Sequence, residues 1–246
     1  CPPDMMESTI KDLYCMMGMY AVDFLRRKAP PIHEIKGLEI VRKLLENKKG
    51  LIPILAHLGN WELLASLFGK EFSRLGVIAK KMNNTYVNAW LEKKRTDSHV
   101  EVIYREQALR KMLQVLSDNG LVAILIDQRG GGHGTEALFL DKPASTVKTV
   151  AGIVCKTGCP VVLTCALMRD DLSYDVFIEE VAAIDTDGMS QDEAVNAYQN
   201  LHNAVLSSVI RKNPKHYFGW FHKRFKGKVN YRLSHRKEPE RPRCSL

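Results

Sequence analysis

The sequence predicts an α/β fold: a single domain with a central, mostly parallel or mixed sheet covered by helices, and an N-terminal amphipathic helix. Three observations predict it. Short apolar runs of strand character, among them "LIPIL", "LVAILID" and "PVVLTCAL", alternate with segments of helical period. No internal repeat and no clear linker divides the 246 residues. The composition, 45% hydrophobic and 26% charged, is that of an ordinary globular protein, long enough to bury a core without staples. The expected organisation is an amphipathic helix over residues 1–30, a main domain over 31–233 and a basic tail over 234–246.

Each element has a local reason. Met6, Ile10, Leu13, Met17, Tyr20 and Phe24 recur at spacings of four and three, which gives a helix one apolar seam. Lys11, Asp12 and Asp23 forbid a bilayer span there, so the seam packs on the domain or lies on lipid. "APP" at 29–31 breaks this helix. Residues 36–47 read as helix and "GLIPILA", 50–56, as a buried strand. A helix over 60–75 follows, with Asn60 as its N-cap. "GVIAK" is a short strand, 84–95 a helix and "VEVIY", 100–104, a strand. The helix over 106–118 stops at Asn119-Gly120. "LVAILID", 121–127, is the clearest strand, and "GGGHG", 130–134, a flexible loop. Residues 145–157 read as a helix closed by Gly158. Strands at 160–167 and 174–180 and a long helix over 189–212 complete the pattern.

The formal net charge of +8 is unevenly placed. Residues 211–246 hold twelve Lys/Arg against Glu238 and Glu240, a net +10, while the other 210 residues carry 24 basic and 26 acidic side chains, a net −2. A basic end of this kind suits an anionic membrane surface, a phosphorylated ligand or nucleic acid. Tyr217, Phe218, Trp220, Phe221 and Phe225 supply little aromatic interleaving for nucleic acid, and none is expected as a partner. Six scattered cysteines with no C-x-x-C pair form neither a disulfide framework nor a zinc site, which points to reduced thiols in a cytoplasmic setting. No run approaches the roughly 18 apolar residues that span a bilayer, and no signal peptide is visible.

The stretch "AHLGNWELL", 56–64, places polar groups at the end of a buried strand. Ligands of α/β sheets bind at such strand ends. Gly59 admits a close backbone or ligand approach, and free N–H groups where a helix starts at Asn60 suit an anion or a developing oxyanion. On one continuous helix His57 and Glu62 would stand about 140° apart. With His57 on the preceding turn, its ring can fold back to Glu62, whose carboxylate would fix the tautomer and make the imidazole a general base. An ordinary hydrogen-bonded pair is the alternative. "GGGHG" lacks the residues of a P-loop, so nucleotide binding is not supported.

"HLGNWEL" resembles the H-x4-E signature of the lysophospholipid acyltransferase superfamily, in the form used by the lipid A biosynthesis (lauroyl/myristoyl) acyltransferases. The likeness extends, in order, through "IKGLEIVRKLLENKKGLIPILAHLGNWE", "NAWLEKKR", "VIYREQALRKMLQVLSDNG", "ILIDQRGGGHGTEALFLDKPAST" and "YFGWFHKRFK", over roughly residues 20–230. It implies a glycerolipid acyltransferase-like fold and transfer of a fatty acyl chain from an acyl carrier protein thioester to a hydroxyl of a lipid A precursor, without metal or cofactor. It implies His57 as base and Glu62 as its partner, with Arg95 on the acceptor phosphate or the oxyanion. Arg105 faces the site or makes a surface salt bridge. Asp127 and Gln128 bind substrate or cap a turn, and His222 and Arg224 are structural or meet anionic lipid. The implied partners are acyl carrier protein, an anionic glycolipid and the cytoplasmic face of the bacterial inner membrane. The family's usual N-terminal membrane anchor has no counterpart here, and the loop at 130–134 is unusually glycine-rich. A lysophospholipid or another glycolipid as acceptor is the nearest alternative, and a basic nucleic-acid-binding protein the alternative from another class.

Overall fold

The computed structural model describes residues 3–26, 28–104, 108–131 and 134–225. Arg105 and the basic tail over 234–246 lie outside them.

In chain order the elements are α1 (Pro3–Leu25), β1 (Ile32–Lys36), α2 (Leu38–Leu45), β2 (Ile52–Leu55), α3 (Trp61–Glu71), β3 (Leu75–Ala79), α4 (Thr85–Thr96), β4 (Val100–Tyr104) and α5 (Ala108–Ser117). Then come β5 (Leu121–Leu125), β6 (Thr135–Phe139), β7 (Lys142–Thr146), α6 (Thr149–Thr157), β8 (Val161–Met168), β9 (Tyr174–Val181) and α7 (Gln191–Lys212). Two short 3-10 turns, Pro214–His216 and Phe218–Phe221, close the described chain.

Seven strands form one sheet in the order β1-β9-β8-β2-β5-β3-β4. Every pairing is parallel except β8 with β9. The strands at its centre are apolar on both faces, as a sheet covered on both sides requires. Alternation along the β2 run shows this: Ile52 and Ile54 enter one core layer, Leu51 and Leu55 the other. The first layer lies under α5, α6 and α7 (Val115, Ile153, Leu206), the second under α1, α2 and α3 (Tyr20, Val41, Leu64, Phe68). Of the α1 seam, Leu13 and Tyr20 are buried, while Met6, Ile10 and Met17 stay exposed.

Caps follow from the sequence. Asn60 accepts from the Leu63 N–H at 2.9 Å to start α3, and Ser190 with Glu193 forms a capping box at the head of α7. Gly158 closes α6 in the left-handed conformation, φ 63°.

The main differences from the sequence expectation lie in three places. β1 has only partly buried or exposed residues, so it carries no clean apolar alternation to read. β6 and β7 form an antiparallel hairpin over a stretch to which no strand was assigned, and β7 takes the residues 145 and 146 that were expected to start a helix. Its turn puts Leu140 and Asp141 at φ 50° and 62°, without the Asn-Gly or Asp-Gly pair that usually signals such a turn. Consequently α6 begins at Thr149 rather than at 145. The predicted helix over 60–75 ends at Glu71, and Leu75 already belongs to β3.

Candidate active site

The site grows out of strand register. β2 and β5 are parallel neighbours, with Leu55 opposite Leu125. Two residues past each lie His57 and Asp127, so the same register carries them side by side beyond the carboxyl ends of the strands. His57 Nδ1 lies 2.9 Å from Asp127 Oδ1 and 3.2 Å from Oδ2, and the His57 backbone N–H donates to Oδ2 at 3.1 Å. The Asp127 side chain is fully buried, whereas 24% of the His57 side chain is exposed. An ionised carboxylate only accepts, so it holds the proton on Nδ1 and leaves Nε2 as an acceptor. The Gln128 amide nitrogen stands 3.5 Å from Nε2.

The sequence expectation paired His57 with Glu62, and the geometry corrects it. Glu62 sits in the first turn of α3 and accepts from Arg95 of α4: Nε to Oε2 at 3.2 Å, Nη2 to Oε1 at 2.5 Å. Both side chains are about four-fifths buried, at 18% and 19% exposed. The α3 helix turns Glu62 toward α4, while the strand-end backbone turns His57 toward β5. Two linked carboxylate pairs result, His57–Asp127 and Glu62–Arg95, with the Trp61 ring edge-on to His57 at 5.0 Å.

The turn between them is fixed by its own backbone. Gly59 has φ 65°, and a Cβ there would lie 2.0 Å from the Ala166 carbonyl oxygen. Its N–H donates to the His216 carbonyl at 2.9 Å, and the Asn60 N–H donates to the Ala166 carbonyl at 2.9 Å. The Phe218 N–H donates to the His57 carbonyl at 2.7 Å. Residues 57–60 are thus clasped between β8 and the segment 216–218. This corrects the expectation that the Gly59 and Asn60 N–H groups await an oxyanion, since both are already spent on carbonyls. The Asn60 side chain is occupied too, capping α3 and donating to the Tyr174 hydroxyl at 3.3 Å.

The "YFGWFHKR" segment supports the dyad from behind. Tyr217 is buried and hydrogen-bonds Asp127; burial first, then that carboxylate, raises its pKa and keeps the hydroxyl protonated. The Arg129 N–H donates to His222 Nε2 at 3.1 Å. His222 is exposed, and desolvation lowers its pKa more than the charge of Asp127 raises it. Arg224 is 3% exposed. Its guanidinium donates to the carbonyls of Gln128 and Ser145 and to Thr146 Oγ1, and lies 4.9 Å over the Phe139 ring. Of the two expected roles, Arg224 therefore takes the structural one, tying the loop after Asp127 to β7; it is not free to meet a lipid phosphate.

His57, Trp61, Arg95 and Gln128 open onto a groove of about 440 Å³, whose far wall is Lys80, Met82, Asn88, Leu91, Glu92 and Tyr104. A small apolar pocket of about 60 Å³ adjoins it under α3, sharing Trp61, Ile78, Arg95 and Leu125 and reaching Leu64 and Phe68. The polar wall was not legible in the sequence; in it Asn88 Nδ2 donates to the Tyr104 hydroxyl at 3.3 Å and that hydroxyl donates to Glu92. These residues carry no motif and meet only through the packing of α4 on β4. Among the described residues, His33, Glu34 and Asp175 have the spacing of metal ligands, on β1 and β9 rather than in the groove. No helix of the described chain is long and apolar enough to cross a membrane.

A partly exposed imidazole backed by a buried carboxylate, beside a largely buried arginine and an apolar pocket, can take a proton from a hydroxyl next to a bound hydrocarbon chain. No curated protein matches the sequence. The model of the bacterial lipid A biosynthesis acyltransferase family matches residues 5–227, and the chain belongs to that family.

Proposed function

We propose that the protein transfers a fatty acyl chain from an acyl carrier protein thioester to a hydroxyl of a lipid A precursor, at the cytoplasmic face of a bacterial inner membrane. The observation that carries this reading is the His57–Asp127 pair at the head of a groove that continues into an apolar pocket.

His57 Nε2 takes the proton of the acceptor hydroxyl as its oxygen attacks the thioester carbonyl carbon. The new C–O bond forms, the C–S bond breaks, and the imidazolium returns the proton to the leaving thiolate. Asp127 holds the tautomer and stabilises the imidazolium. Arg95, steadied by Glu62, and the Gln128 amide are the donors on the groove wall for the carbonyl oxygen or for an acceptor phosphate. The small pocket under α3 suits the acyl chain near its reacting end. An acidic carrier and an anionic glycolipid both suit the basic C-terminal end of the chain.

The test is an assay of the purified protein with a panel of acyl carrier protein and coenzyme A thioesters, against lipid A precursors and lysophospholipids. Product from the carrier thioester and the lipid A precursor is expected. Product only from a lysophospholipid would move the acceptor class, and no product with any pair would end the reading.

A further inference from the structure

α4 is amphipathic in an inverted sense. At about 100° per residue, Lys93, Tyr86, Trp90 and Val87 share an outer arc of about 120°, and Leu91, Arg95, Asn88 and Glu92 share the opposite one. The inner arc is the groove wall, and three of its four residues are polar. The outer arc carries the large apolar side chains and leaves them in solvent: Tyr86 is 87% exposed, and Trp90 and Val87 are 39% each. A helix that packed only for stability would show the reverse.

The surroundings extend this face. Met82, 46% exposed, stands at the rim of the groove just before α4, its backbone N–H donating to Asn88 Oδ1 at 2.9 Å. Trp90 stacks edge-on against Phe24 of α1 at 5.2 Å, and Leu25 beside it is exposed. Lys93 is exposed on the outer arc, Lys81 is exposed just before α4 and Lys80 is exposed on the groove wall, and among the described residues none of the three forms an ion pair with a carboxylate. Glu92 is turned inward, onto the Tyr104 hydroxyl. Apolar and aromatic tips within a cationic rim suit the headgroup boundary of an anionic bilayer, where the hydrocarbon is buried and each lysine meets lipid phosphate.

We infer that the outer face of α4, with Met82 and the end of α1, is the surface by which the protein sits on an anionic lipid bilayer. The choice of occupant rests on the lipid acyltransferase reading. The groove containing His57 then lies one helix thickness from the lipid, so an acceptor hydroxyl is presented with its acyl chains still in the membrane. The exposed apolar residues Ile10 and Tyr14 of α1 are not required for this contact.

The experiment is vesicle flotation of the intact chain with phosphatidylethanolamine–phosphatidylglycerol vesicles, beside acyl transfer to acceptor in detergent micelles. The double variant Tyr86→Ser/Val87→Ser, whose side chains line no part of the groove, is expected to bind vesicles at least about tenfold more weakly, as loss of apolar burial demands. Its micellar activity should match wild type. Ile10→Ser/Tyr14→Ser is expected to float as wild type does. A folding-independent check adds a tryptophan: the fluorescence gained by Tyr86→Trp is quenched by lipids brominated on the upper acyl chain, and that gained by Tyr14→Trp is not. Flotation undiminished in Tyr86→Ser/Val87→Ser, or quenching at Tyr14→Trp alone, overturns the inference. An active wild type with such unaffected flotation would leave the catalytic reading standing. A wild type that floats through α4 yet transfers no acyl chain in micelles would do the opposite, supporting the surface and removing the chemistry.

Discussion

The carboxylate that meets His57 Nδ1 at 2.9 Å is that of Asp127, 70 residues further along the chain. The same offset pairs Ile54 with Ile124 and Leu55 with Leu125 in the sheet beneath. The dyad is therefore held by strand register, the stiffest part of the fold, rather than by the loop in which each residue lies.

Asp127→Asn keeps the shape but allows the amide to face Nδ1 either way, so the tautomer is no longer fixed. Acyl transfer is expected to fall by about 10²–10⁴-fold, the usual worth of an oriented general base. Steady-state kinetics with circular dichroism checks this. A native spectrum with undiminished turnover would remove Asp127 from the mechanism.

Glu62 and Arg95 share two hydrogen bonds, so the proposed mechanism makes Glu62 a positioning residue for Arg95. Glu62→Gln, Arg95→Gln and the double variant form a cycle in kcat/KM. The double variant is expected to be little worse than the poorer single one, with a coupling of about 0.5–3 kcal/mol. Strictly additive losses would show that the residues act separately.

Gly59→Ala places a methyl group 2.0 Å from a carbonyl oxygen, at a positive φ. The backbone alone costs about 1–2 kcal/mol, and the clash adds to it. Thermal unfolding should show a clear drop in Tm, and an unchanged Tm would mean that the turn is not clasped as described.

His202 and His216 are buried, at 2% and 4% exposed, and burial lowers each pKa from 6.5 to about 4. The unfolded chain therefore takes up these protons first. Their contribution is complete above about pH 6.5 and is lost progressively as pH falls toward 4, up to about 3 kcal/mol for each residue. Urea midpoints measured between pH 7.5 and 5 should fall with pH, and fall less steeply in His202→Gln. Identical slopes in wild type and His202→Gln would contradict the assignment.

The strands at the centre of the sheet were legible because their apolar runs are long and bounded by glycine, proline or asparagine. The β6–β7 hairpin was not, because its turn uses Leu140 and Asp141 at positive φ instead of a glycine. His57 announced itself by its place at a strand end. Its partner did not, because Glu62 is near in sequence and Asp127 near in space. Only the neighbouring of β2 and β5 decides between them, and that is a tertiary fact. For Arg224 the sequence left a structural role and contact with anionic lipid equally open, and its burial against backbone carbonyls, which favours the first, is likewise a matter of packing.

The most direct measurement is the rate of acyl transfer by His57→Gln at saturating thioester and acceptor. If Nε2 receives the hydroxyl proton, that rate drops by at least about 10²-fold while vesicle binding and the unfolding midpoint stay close to wild type. A folded His57→Gln protein that transfers acyl chains at the wild-type rate would contradict the account.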